Sequence, residues 1–201
     1  MTSVREIRRR KTVIQSTAQI IRGMKLIATV RLTKDRARAE AFRPYFEELR
    51  GMGAMVLEER EWPEERKGPA GIVAFTSNRG LAGGYSQQIV RMIAGDGRFL
   101  PGTAVVYAVG KRGRDSLAAM GYEIRGDYSE AGERPDGVFA EKLAGRLLED
   151  YEAGEIGEIY LAYTVFRNAV VQEPRLIRVL PAETEDGRKA ENGLEAEDGR
   201  K

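Results

Sequence analysis

Along the first fifty residues the apolar positions keep an interval of seven. Ile7, Ile14, Ile21 and Ala28 form one row, and Val13, Ile20 and Ile27 run beside it. On a helix of about 3.6 residues per turn such a row drifts slowly around the axis, and a second helix can follow it only by supercoiling left-handedly. The pattern therefore predicts a helix that lies against another helix, not one buried on a globular core. Ser3 and Glu6 have the spacing of a capping box, so the helix is expected to begin there. Gly23 is the only glycine and Pro44 the only proline in residues 1–50, and a kink is expected near 40–44. A helix that resumes beyond it and ends near Gly51 would be roughly 70 Å long.

Beyond residue 70 the period changes. "GIVAFTS" (71–77), "TAVVYAVG" (103–110), "YEIRG" (122–126) and "EIYLAYTVF" (158–166) read as strands, the first two almost continuously apolar, as strands covered on both faces are. Between them "SQQIVRMIA", "KRGRDSLAAM" and "DGVFAEKLAGRLLEDYE" read as helices, the last with Phe139, Leu143, Leu147 and Tyr151 on one stripe. Strand and helix in alternation predict a doubly wound, Rossmann-like α/β layer. "VVQEPRLIRVLP" is expected to close the sheet as an antiparallel edge, where Pro174 is tolerated. The fold class is thus α/β, with a long N-terminal coiled-coil helix over 1–57, a charged linker "EEREWPEERKGPA" over 58–70, the α/β domain over 71–181 and a charged tail over 182–201.

Charge sharpens this division. The net charge is +2, but residues 1–50 hold 13 Lys/Arg and 5 Asp/Glu, a net of +8, and the other 151 hold 20 and 26, a net of −6. A cationic arm on an anionic body faces acidic protein or nucleic acid. Nucleic acid is the weaker reading, because the arm lacks interleaved aromatics and its seam asks for a helix. There is no cysteine and no histidine among the 201 residues, which removes disulfides, thiolate nucleophiles, imidazole bases and the usual zinc ligands.

The glycine turn after the first strand, "SNRGLAGGYS", is the natural place for a nucleotide, but Gly80, Gly83 and Gly84 do not make G-x-G-x-x-G. "AVGKRG" fails as a phosphate loop, since Val105 stands where its first glycine belongs. The glycines are read as allowing a tight strand-to-helix turn and the close approach of another chain. No cofactor, metal or catalytic residue is expected.

Four ordered segments resemble the gamma subunit of F-type ATP synthases. The opening "SVREIRRRKTVIQSTAQIIRGMKLIATVRLTKDRARAEAFRPYFEEL" is similar to that family's shaft helix, and "TSNRGLAGGYS" to its S-D-R-G-L-C-G-G-x-N turn, with Asn78, Ala82 and Ser86 in place of Asp, Cys and Asn. "VGKRGRDSL" and "QEPRLIRVLP" follow in the expected order, so that the resemblance covers residues 3–181. It implies a non-catalytic rotor: a shaft inside a ring of alpha and beta subunits, and an α/β domain beside the epsilon subunit and the membrane ring of c subunits, peripheral on the cytoplasmic face of the inner (plasma) membrane. Ion flow would turn the shaft and drive the beta subunits through their conformations. The resemblance places Met24 and Lys25 against beta-subunit levers, with Arg8, Arg9 and Arg36 as electrostatic contributors and Gly80, Gly83 and Gly84 at a partner contact. The family continues into a long C-terminal helix, whereas the twenty residues after Pro181 are charged and contain "EDGRK" twice. They are expected to be disordered. Three explanations stay open for the helix that pairs with residues 3–50: a shortened gene product, a second chain that supplies the helix, or a divergent gamma-like relative that no longer rotates and serves assembly or interaction.

Overall fold

The computed structural model describes residues 4–58, 68–131, 136–168 and 171–181, without the side chains of 50 and 54–58. It divides into two compact units, Met1–Arg60 and Glu61–Lys201. The expected linker falls mostly outside the described residues, and the charged tail wholly so. Ser3 of the expected capping box is also outside them, and the Glu6 carboxylate is taken by Arg10 one turn on, at 2.7 Å.

The first unit is one helix, α1, Val4–Glu58. At about 1.5 Å per residue its 55 residues span roughly 80 Å. It runs past Gly51, where the sequence suggested an end, and through Pro44. Proline removes one amide from the ladder, and the glycines at 51 and 53 weaken their turn by about 1 kcal/mol each. The surrounding Ala, Met, Leu, Glu and Arg are good helix formers and carry the helix through.

The second unit is a five-stranded sheet of β1 (Ala70–Phe75), β2 (Ala104–Val109), β3 (Glu123–Asp127), β4 (Glu158–Phe166) and β5 (Gln172–Leu180). Their order across the sheet is β3-β2-β1-β4-β5. The first four are parallel, and β5 is the antiparallel edge with Pro174 opposite Thr164. The crossovers are α2 (Tyr85–Gly95), α3 (Lys111–Ala119) and α4 (Gly137–Glu152).

Strand alternation sorts the core into two layers. Ile72, Ala74, Val106 and Ala108 point to one face, where Ile89, Val90 and Ile93 of α2 and Leu117 of α3 meet them. Val73, Val105, Tyr107 and Val109 point to the other, where Phe139, Leu143, Leu147 and Tyr151 of α4 close the layer. Both central strands are buried on both sides, which is why their sequences show no polar alternation. The Asp136 side chain starts α4 by accepting from the Phe139 amide at 2.8 Å.

One polar knot is buried within the second layer. Asp150 of α4, 5% exposed, accepts from the Tyr107 hydroxyl and from Arg146 at 2.9 and 3.0 Å. Its carbonyl takes the Glu155 and Ile156 amides at 2.9 and 3.2 Å, which turns the chain from α4 into β4. Burial, then the hydrogen bond to Asp150, push the Tyr107 phenol well above its ordinary value of 10.0. Burial likewise raises Tyr122, Tyr128 and Tyr160.

The folded domain keeps these phenolic protons above pH 10 while the unfolded chain releases them. Stability from this source is therefore complete below pH 10 and declines as the pH rises past it. Melting followed from about pH 9 to about pH 11 is expected to show that decline. Tyr107→Phe is expected to make it shallower and to cost about 1–2 kcal/mol at neutral pH through the lost hydrogen bond to Asp150.

Candidate partner-binding surfaces

On α1 the two apolar rows are exposed over their whole length. Ile7, Val13, Ile14, Ile20, Ile21 and Ile27 are 56%, 59%, 68%, 64%, 58% and 60% exposed, and Ala28 is exposed as well. Met24 lies one turn from both Ile20 and Ile21, and Lys25 one turn from Ile21, so the pair borders the seam. Arg8 and Arg9 stand exposed on the first turns, and among the described residues no carboxylate lies within ion-pair distance of either. Arg36 differs, because its guanidinium is taken by Glu40 at 2.8 Å. Asp35 lies 3.9 Å from Arg38. Three of the five acids of this arm are thus turned inward on its own arginines, by exposed pairs worth only about 0.3–0.5 kcal/mol each. Long exposed apolar stripes with polar edges are, as a class, surfaces that other proteins or membranes cover.

The glycine turn lies at the C-terminal ends of the parallel strands, between β1 and α2. Its stem is stitched to the β2–α3 junction. The Thr76 amide donates to the Val109 carbonyl at 2.9 Å, the Thr76 hydroxyl donates to the Gly110 carbonyl at 3.1 Å and accepts from the Gly113 amide at 2.9 Å, and the Arg112 amide donates to the Ser77 carbonyl at 3.0 Å. The first amides of α3 are therefore already satisfied by this neighbouring loop. Asn78 uses both ends of its amide: Nδ2 donates to the Ser129 carbonyl at 2.6 Å, and Oδ1 accepts from the Lys111 amide at 2.9 Å. Ser129, 1% exposed, is fixed in turn by Asp127, which accepts from its amide at 3.0 Å and from its hydroxyl at 2.5 Å. Burial pushes the Asp127 carboxyl up, but these bonds and the one from Arg114 outweigh it and hold it below its ordinary value. Ser86, in the first turn of α2, accepts from the Ser77 amide at 2.9 Å, and the two hydroxyls face each other at 2.9 Å.

Two glycines of the turn have a local reason. A Cβ on Gly80 would meet the Arg112 guanidinium at 2.9 Å and Gly83 has φ +77°, whereas Gly84, the N-cap of α2, has open space where a Cβ would stand. Between them stands Leu81, with φ +59° and 94% exposure. A left-handed conformation costs a leucine about 1–2 kcal/mol, which a glycine would avoid. Sequence reasoning named the glycines but missed Leu81, Thr76 and Ser129; the first is concealed because nothing local requires leucine to be left-handed. Asn78 was visible as a departure from the Asp of the resembled turn. Only the amide can donate to Ser129 while accepting from Lys111, since a carboxylate has no proton to give.

The family model for ATP synthase matches residues 3–200. The ATP synthase gamma chain of Lachnoclostridium phytofermentans is 41% identical over 96% of this chain and 69% of its own length. The chain belongs to the ATP synthase gamma-chain family. Gamma chains are non-catalytic subunits of the ATP synthase complex. A gamma chain of Acetobacterium woodii, named as sodium ion specific, is 31% identical over 92% of this chain and 63% of its own. The sequence thus spans about two thirds of the length of these gamma chains. A chain in the cryo-EM structure of the Tetrahymena thermophila mitochondrial ATP synthase central stalk and c-ring shares the fold, with a TM-score of 0.61 at 18% identity over 81% of this chain and 72% of that one.

Gly110 is the weak point of the stitched rim. It has φ +130°, and a Cβ there would collide with the Thr76 carbonyl. Gly110→Ala is expected to destabilise the α/β domain by about 3 kcal/mol or more, read from urea unfolding, because backbone strain and overpacking add.

Proposed function

We propose that this gamma chain is a rotor element of an ATP synthase, coupling ion flow through a membrane ring to conformational cycling in the catalytic head. The observation that carries the reading is the exposed seam of α1 with its cationic borders. Fully burying an isoleucine is worth about 1.5–3 kcal/mol, and more than half of each seam isoleucine is still in water, so covering the row makes on the order of 10 kcal/mol available. That supports a partner helix along residues 3–50. The positive field around the seam suits a surrounding sleeve with acidic segments, because attraction then persists over many rotational angles without one fixed ion pair.

In this reading α1, with Met24 and Lys25 beside the seam and Arg8, Arg9 and Arg36 further along, faces the alpha and beta subunits. The α/β domain faces the epsilon subunit and the c ring, with the turn at Gly80, Gly83 and Gly84 meeting a head subunit. No helix of the described residues is long and apolar enough to cross a membrane. In this reading the membrane contact is made through the ring, peripherally and on the cytoplasmic face. Coupling works by differential contact: a turning asymmetric shaft favours a different conformer of each catalytic subunit in turn.

Reconstitution with alpha and beta subunits tests this. The chain is expected to co-purify with them, and Ile14→Asp with Ile21→Asp is expected to abolish that assembly while the α/β domain melts unchanged. Failure of the unaltered chain to co-purify, with α1 helical, would falsify the rotor reading.

A further inference from the structure

The turn between β1 and α2 combines three features that its stem alone does not require. Leucine, not glycine, occupies the left-handed position at residue 81, in a segment that already contains three glycines. Its side chain is 94% exposed, so neither packing nor backbone ease within the chain explains it. The base beneath it is held from three sides: Asn78 ties it to Ser129 after β3 and to Lys111 at the start of α3, and Arg112 lies against Gly80. A strained, exposed apolar residue on a rigid base is what binding a partner selects, because the ordering is complete before contact is made.

The surroundings define the kind of partner. Arg79, Lys111 and Arg112 are exposed around the same rim. We propose that Leu81 is the contact side chain of this turn, entering an apolar socket bordered by carboxylates on a head subunit, and that Asn78 is the positioning residue that holds it ready. The inference rests on the reading of the turn as a partner-facing surface.

The two roles separate experimentally in the full chain. Leu81→Gly relieves the backbone while removing the contact, so its melting temperature is expected to equal or exceed that of the unaltered chain while affinity for the reconstituted alpha–beta head falls about tenfold or more. Leu81→Met, which keeps apolar bulk, is expected to restore binding to within about threefold. A purely structural leucine would give the opposite pattern, with stability changed and binding intact. Asn78→Asp keeps the acceptor for Lys111 but loses the donor to Ser129. Amide exchange over residues 79–84 is expected to quicken about tenfold while β2 amides stay as slow as before. Head binding by Leu81→Gly equal to that of the unaltered chain overturns the contact. Unaltered exchange in Asn78→Asp, or equal acceleration in β2, overturns the positioning role. A head that does not bind even the unaltered chain overturns the proposed function itself, and the contact with it.

Discussion

An apolar row that the helix cannot bury on itself governs the N-terminal helix of this chain. A 55-residue helix has ample backbone hydrogen bonding, yet its interior bonds return little net free energy over those made to water, and the exposed pairs Glu6–Arg10 and Arg36–Glu40 add only tenths of a kcal/mol. The free energy that fixes such a helix in place must come from side chains withdrawn from water. Those available for withdrawal include the isoleucines and valine spaced by seven. The same spacing sets the geometry of the answer, since a strict seven-residue repeat is covered continuously by a supercoiled helix and only intermittently by a globular surface.

The α/β domain buries a two-layered core of its own, and its polar features serve that end. Tyr107 enters the second core layer with a hydroxyl that must be matched, and Asp150 enters from α4 with a carboxylate that must be matched; they meet, with Arg146 completing the set. Removing Asp150 would leave the buried Tyr107 hydroxyl without its partner, which is more damaging than never having had the pair. The rim at the strand ends follows the same logic with backbone groups. Thr76, Ser77 and Asn78 supply acceptors to the opening amides of α3, whose own N-cap is a glycine with no side chain to offer. Those amides, which in many α/β proteins face a phosphate, are occupied here by the protein's own loop.

The sequence was most legible where one physical effect dominated. Strand runs such as "AVVYAV" and the stripe Phe139/Leu143/Leu147/Tyr151 carry a burial pattern with no competing signal, and the elements stand within a residue or two of where that pattern puts them. Pro174 announced an edge because proline has no amide to give to a central ladder. An end of α1 near Gly51 did not hold because a glycine is a local signal, whereas helix persistence depends on the sum over neighbouring turns. At the candidate surfaces legibility was uneven. The seam followed from spacing alone, whereas Met24 and Lys25 were singled out only through the resemblance of the shaft helix. The pairing of Arg36 with Glu40 was readable as an i,i+4 spacing but was not used. The Asn78 bonds join residues 33 and 51 positions apart and have no signature in a single chain.

Leu81 illustrates how these two kinds of order depend on each other. A strained residue survives only where its surroundings over-determine it, so the stitched rim is a precondition for the strain and not a separate feature. Were the turn loose, Leu81 would relax to φ below zero and lose its raised position. Were Gly80 any larger residue, Arg112 would be displaced from beneath it. The tightness of the stem and the awkwardness of its apex therefore belong to one device. The long helix and the turn then share a property: each leaves apolar side chains in water that the chain's own core does not take up, within a sequence otherwise able to bury what it must. Such surface is what the two proposed contacts would use, the isoleucines for a partner helix and Leu81 for a socket on a neighbouring subunit.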